Sequence, residues 1–155
     1  MGQMQCDTKW QGGLGFKAQI RGHEFQMDTK KESGGQDAGP SPKEVLLASI
    51  CACSGMDVAS ILQKMRVNLV SCDISAETET TDGYPSVFKE VKLKFKIVGP
   101  DIKADQAIKA VVLSMTKYCG VSAMVAGVSP ITYEIFLNDV SIKSDRADFS
   151  ENLKL

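Results

Sequence analysis

The spacing of hydrophobic and polar residues changes period several times along the chain, and each change marks an element. Residues 4–28 read as short strands: MQCDTKW, the Gly-rich turn QGGLG, then FKAQIRG, a tight turn and EFQMD. Both later runs alternate apolar and polar side chains, so an antiparallel meander is predicted. Residues 29–41, TKKESGGQDAGPS, are polar and turn-rich, which predicts a surface loop. The loop ends in a helix-start signature. Ser41 can cap, Pro42 suits the first helical position, and Glu44 completes S-x-x-E. The helix then runs to about Arg66. From Val45 to Leu62 it is apolar on nearly every face, which predicts a helix buried on most sides. Gly55, with Ala48, Ser49, Ala52 and Ser54, lets a neighbouring element approach closely or permits a kink.

Residues 67–80, VNLVSCDISAETET, show β-type alternation, and DGYPS supplies a turn. In residues 87–98 Val91, Leu93, Phe95 and Ile97 fall on one face, with Lys92, Lys94 and Lys96 on the other. The two runs predict a long hairpin with one face on the core and one face wet. Gly99-Pro100 ends it. Asp101 is the expected cap of a second helix, 102–117, whose apolar face carries Ile102, Ala107, Ile108, Val111, Val112 and Met115. Cys119-Gly120 breaks that helix, VSAMVAGV adds a further turn or two, and Pro130 stops it. ITYEIFLN reads as a closing strand, and the charged tail, 139–155, is expected to be loosely held. The order βββ-α-ββ-α(α)-β is α+β, without the βαβ alternation that signals a parallel sheet. A chain of 155 residues fits one domain, 1–155.

Charge narrows the partners. The net charge is −1 with lysines and acids interleaved, so no basic stripe announces nucleic-acid binding. The start, MGQMQCDTKWQGG, lacks an apolar stretch able to act as a signal peptide. Its Met1-Gly2 opening has Cys6 where a myristoylation site wants Ser or Thr. No segment reads as approaching a membrane span. The expectation is a cytoplasmic protein with neither a nucleic-acid nor a membrane partner.

The cysteines change the picture most. There are five, Cys6, Cys51, Cys53, Cys72 and Cys119, and an odd count without a secretion signal argues against a disulfide framework. Cys51-x-Cys53 is the single close pair, and on a helix two such residues point roughly 200° apart, so they do not readily chelate one ion. No metal and no other cofactor is expected. The only histidine, His23, follows Arg21-Gly22 in a predicted turn and receives no role. Cys51 fits a small hydrophobe on an apolar helix, and Cys6 and Cys72 read as packing or surface residues in strands. Cys53 sits among small residues that leave room for a substrate or a second sulfur. Cys119 precedes Gly-Val-Ser at a helix break, where free N–H groups and the dipole of the next turn favour a thiolate. Two thiols far apart in sequence but able to meet in space suffice for thiol–disulfide chemistry. Two structural thiols are the alternative.

The string GPSPKEVLLASICACSGMDVASILQKMR resembles the central helix of the OsmC/Ohr family, the osmotically inducible and organic-hydroperoxide-resistance proteins. KYCGVSAMVAGVSPITYEI resembles that family's second cysteine segment, and the likeness covers most of residues 4–138. The C-S-G-M-D-V and Y-C-x-V-S wording is nearest the YhfA-like branch. The resemblance implies an OsmC-like fold with antiparallel sheets around a long buried central helix and a second helix, in an intertwined homodimer. It implies a thiol peroxidase acting on organic hydroperoxides or hydrogen peroxide. Cys53 would be the attacking thiol, Cys119 would resolve its sulfenic acid, and an external dithiol would reduce the pair. The family's best-studied branch has an Arg in the N-terminal Gly-rich turn and a Glu directly after the helix-opening Pro. Here the turn is QGGLG, Lys43 follows Pro42, and Glu44 comes one step later. Lys43, Arg21 and Glu44 are therefore the supporting candidates, Glu44 also serving as a capping-box residue. The alternative function is a dimeric redox-sensing or small-molecule-binding module with little turnover.

Overall fold

The computed structural model describes residues 2–154, and the chain divides into two compact units, one up to Leu47 and one from Ala48 onward. In the first unit β1 (Asp7–Trp10), β2 (Phe16–Ile20) and β3 (His23–Met27) form the expected antiparallel meander. Arg21 and Gly22 both take positive φ, 50° and 81°, between the paired residues Ile20 and His23, the geometry of a two-residue hairpin turn. The 29–41 loop is organised by one carboxylate. Asp28 accepts N–H bonds from Thr29 (2.8 Å), Gln36 (3.0 Å) and Ala38 (3.2 Å), and these hold it below the ordinary carboxylate range. Helix α1 (Pro42–Lys64) opens with the predicted capping box. The Ser41 N–H donates to Glu44 Oε2 at 2.7 Å, and the Glu44 N–H donates to Ser41 Oγ at 3.4 Å.

In the second unit α1 departs from expectation. Only one stripe, Ile50, Ser54, Val58 and Leu62, is buried, while Met56 is 73% exposed. The helix is thus covered on one line rather than on most sides: its composition is apolar all round, but a single chain supplies packing for one face. With 23 residues, mostly apolar, it is also long and apolar enough to cross a membrane by length and composition alone, contrary to the expectation that no segment would be. Gly55 is the close-approach point, since a Cβ there would lie 2.8 Å from Ile74 Cδ1.

The remaining elements are β4 (Ser71–Thr80), β5 (Phe88–Val98), α2 (Ala104–Leu113), α3 (Gly120–Ala126), β6 (Ile131–Leu137) and β7 (Val140–Arg146). The four strands form one sheet in the order β4-β5-β6-β7. The β4–β5 hairpin is as predicted, and Val91, Leu93, Phe95 and Ile97 are all buried. Phe95 meets Tyr133 edge to face, with ring centroids 6.2 Å apart. Three expectations fail. First, β5 and β6 pair in parallel, Val91 opposite Ile131 through Ile97 opposite Leu137, so α2 and α3 form a crossover between parallel strands. Second, Lys103 rather than Asp101 takes the cap position of α2, where its N–H donates to Gln106 Oε1 at 2.9 Å.

Third, the tail is not loose. Asn138 and Asp139, with φ of 48° and 67°, make a two-residue turn that returns the chain as β7, antiparallel to β6. The Asn138 side chain clamps Gly99, accepting its N–H and donating to its carbonyl, each at 3.0 Å. Beyond β7, Ala147 and Phe149 are buried. The polar, edge-strand composition of β7 hid it from the alternation test. Phe149→Ala is expected to cost about 3 kcal/mol in denaturant unfolding; a tail that contributes nothing would leave the midpoint unchanged.

Candidate active site

The crossover and α1 bring two sulfurs together. The α2 helix does not continue regularly but widens into a π-helical turn, Ser114–Tyr118, in which the Cys119 N–H donates to the Ser114 carbonyl five residues back at 3.0 Å. Cys119 then takes an extended conformation (φ −73°, ψ 95°) and caps α3, its Sγ accepting the Ser122 N–H at 3.4 Å. The Ser122 hydroxyl lies 3.0 Å from the same sulfur. Cys119 and Ser122 are both buried, and Cys53 on α1 is half-buried. Cys53 Sγ, Cys119 Sγ and a carboxylate oxygen of Asp57 all lie within 4.8 Å of one another. None of the cysteines is disulfide-bonded.

Asp57 was not singled out from the sequence. It follows Cys53 by four residues, hence on the same helix face, and it is the one charged residue between Val45 and Leu62. That interruption of an apolar run was the available signal. Ser114 Oγ–H donates to Asp57 Oδ2 at 2.9 Å, tying α1 to the crossover. Burial raises the Asp57 carboxyl above its ordinary range, with the Ser114 bond opposing the rise. An open groove of about 360 Å³ reaches Asp57, walled by Ile61, Met65, Leu113 and Tyr118, with Lys64 and Lys109 also in its lining.

The Cys119 thiol is pushed up to about 11, chiefly by burial, with Ser122 pulling it down and Cys53 adding to the rise. The cap expected to favour a thiolate is present, but desolvation outweighs it. No cation is among the described groups acting on this sulfur. Burial raises Cys51 as well, and Cys72 is pushed up to about 11 by burial and by Asp73 beside it. Cys6 is exposed on the segment before β1. The supporting candidates lie in the first unit. Arg21 is exposed in the β2–β3 turn, Lys43 is exposed on the first turn of α1, and the Glu44 carboxylate is bonded within the capping box.

A long helix and a helical crossover that place two unbonded thiols side by side, on a sheet of mixed pairing, define a dithiol protein of α+β architecture. Residues 34–134 match the family model described as OsmC-like protein, and the chain belongs to that family. Protein YhfA of Escherichia coli (strain K12) is 38% identical over 131 residues, covering 84% of this chain and 95% of the relative. The crystal structure of a hypothetical protein from Aquifex aeolicus VF5 superposes with a TM-score of 0.76 at 28% identity, covering 89% of this chain and 99% of that one. An organic hydroperoxide resistance protein from Elizabethkingia anophelis shares the fold, with a TM-score of 0.65 at 16% identity over 90% of this chain and 98% of its own.

The raised thiol has a consequence for stability. Cys119 moves from an ordinary 9.0 to about 11 on folding, so the protonated thiol favours the fold. That contribution is complete below pH 9 and is lost as the pH rises towards 11. Denaturation midpoints measured across this interval should fall more in the wild type than in Cys119→Ser, where Cys72 and Tyr133 still titrate. Parallel curves for the two proteins would refute the assignment.

Proposed function

We propose that the chain reduces organic hydroperoxides or hydrogen peroxide in oxidative-stress defence, with Cys53 as the attacking thiol and Cys119 as the resolving one. The observation that carries this reading is the approach of the two sulfurs, from distant parts of the sequence, to within 4.8 Å. The family likeness to proteins described as organic hydroperoxide resistance proteins agrees with it. The Cys53 thiolate attacks the distal oxygen of ROOH. The O–O bond breaks, the alkoxide leaves as ROH on taking a proton, and Cys53 becomes a sulfenic acid. The Cys119 thiol then displaces that hydroxyl, forming the S–S bond and releasing water. An external dithiol restores both thiols by exchange. A thiol held protonated up to about pH 11 is a poor first nucleophile, which supports Cys53 rather than Cys119 as the attacker.

The same raised thiol favours a second reading, a redox-sensing module with slow turnover, because no cation among the described residues acts on Cys119 to speed its ionisation. A dithiol-coupled assay with cumene hydroperoxide separates the two. The peroxidase reading expects turnover in the wild type and none in Cys53→Ser. In Cys119→Ser it expects a sulfenic acid that a dimedone probe can trap. Absence of wild-type turnover excludes the peroxidase, and a Cys51–Cys119 disulfide after mild oxidation would show that the attacker is misassigned.

A homodimer belongs to the same proposal. Trp10, Leu14, Phe16 and Phe25 are exposed in the first unit, as are Met56, Tyr118 and Met124 in the second, and a second copy is the economical cover for them. Sedimentation at micromolar concentration should give a dimer; a stable monomer would contradict this.

A further inference from the structure

We propose that the reduced chain holds a soft divalent cation, zinc in the first instance, between Cys53 Sγ, Cys119 Sγ and the Asp57 carboxylate. Cys51 and Cys53 stand two apart on one helix, so they do not readily chelate one ion. The structure presents a different set: Cys53 and Asp57 one turn apart on α1, and Cys119 across from them on the crossover. Two thiolates and one carboxylate suit zinc by ligand softness and number, and they leave a fourth position for water.

The dimensions are close to what zinc requires. With Zn–S near 2.3 Å and Zn–O near 2.0 Å, tetrahedral ligand atoms stand about 3.5–3.8 Å apart. A set already within 4.8 Å needs a contraction of at most about 1.3 Å, on the scale of rotamer adjustment. The outer partners are also in place. Ser114 Oγ–H fixes the Asp57 carboxylate at 2.9 Å, while the Ser122 N–H and hydroxyl orient Cys119 Sγ. Of the three ligands, Asp57 also lines an open groove.

Binding releases the two thiol protons to solvent. A peroxide would reverse it: two electrons pass from the paired sulfurs to the O–O bond and the S–S bond forms. With two protons taken up, ROH and water leave, and the cation returns to solution. The disulfide keeps no thiolate for the metal, so zinc and peroxide compete for one dithiol. The site shares its sulfurs with the peroxidase reading, but binding itself does not rest on turnover and is measured without peroxide.

Fully reduced protein is titrated with Zn²⁺ against a chromophoric chelator and with Co²⁺ as a spectroscopic probe. One ion per chain is expected, with thiolate-to-cobalt charge-transfer bands. Both should disappear in Cys53→Ser, in Cys119→Ser and in the oxidised wild type, and both should persist in Cys51→Ser. Asp57→Asn should weaken zinc at least about tenfold, the scale on which even outer partners act. Alkylation of Cys53, mapped by mass spectrometry in the unaltered chain, should slow when zinc is present, a readout that needs no variant to fold. No zinc on the reduced wild type, undiminished binding in either serine variant, or an unchanged alkylation rate overturns the proposal. Zinc binding without peroxide turnover supports this site and counts against the peroxidase; turnover without zinc binding does the reverse.

Discussion

The hydrogen bond from Ser114 Oγ to Asp57 Oδ2 sets the spacing on which the rest of the site depends. Ser114 opens the π-helical turn and Cys119 closes it, so a bond at Ser114 anchors the segment that delivers the sulfur. Asp57 lies one helical turn beyond Cys53, so the same bond fixes the facing side. The π turn matters because it holds one residue more than an α-helical turn, which rotates the residues after it by about 100°. A regular helix through Tyr118 would carry Cys119 to another side of the crossover and leave Cys53 without a partner sulfur. A bond to a carboxylate is worth about 1.5–3 kcal/mol, enough to offset part of the cost of placing Asp57 among apolar side chains.

That arrangement gives the site its electrostatic character. Two thiols and a carboxylate stand together, and burial raises both Cys119 and Asp57. Burial disfavours the charged form of Cys119 and of Asp57, and Cys53 beside it adds to the rise at Cys119. Disulfide formation removes that penalty because it eliminates two ionisable groups at once. A bound cation removes it by supplying the opposite charge. Both outcomes act on the same buried thiol, Cys119.

Much of this architecture could be read from the sequence, and the failures share a cause. The strand β5 was legible because Val91, Leu93, Phe95 and Ile97 alternate with lysines, and the start of α1 because Ser41, Pro42 and Glu44 form a local signature. Cys53 and Cys119 stood out through their local surroundings and through family likeness. Features that depend on distant partners did not show. Alternation is the same whether a strand pairs parallel or antiparallel, so the β5–β6 pairing was hidden. The strand β7 has an exposed, polar edge pattern, although the Asn138-Asp139 turn before it was a readable cue. Asp57 was visible as a lone charge, but its meaning lies in Ser114, far along the chain.

The exposed surface of α1 reflects the same distinction between composition and context. Its sequence is apolar around most of its circumference, yet one chain buries only the Ile50–Ser54–Val58–Leu62 stripe. A lipid environment would suit Met56 but not the adjacent Asp57, which is hydrogen-bonded to Ser114 within the fold. A second protein surface suits both, because it can cover the apolar residues while the carboxylate keeps its partner. Tyr118 is exposed and also walls the groove that leads to Asp57. A copy seated against Met56 and Tyr118 would bury apolar area and narrow the groove that Asp57 lines. On this arrangement assembly would bear on a groove lined by Asp57, one helical turn from Cys53.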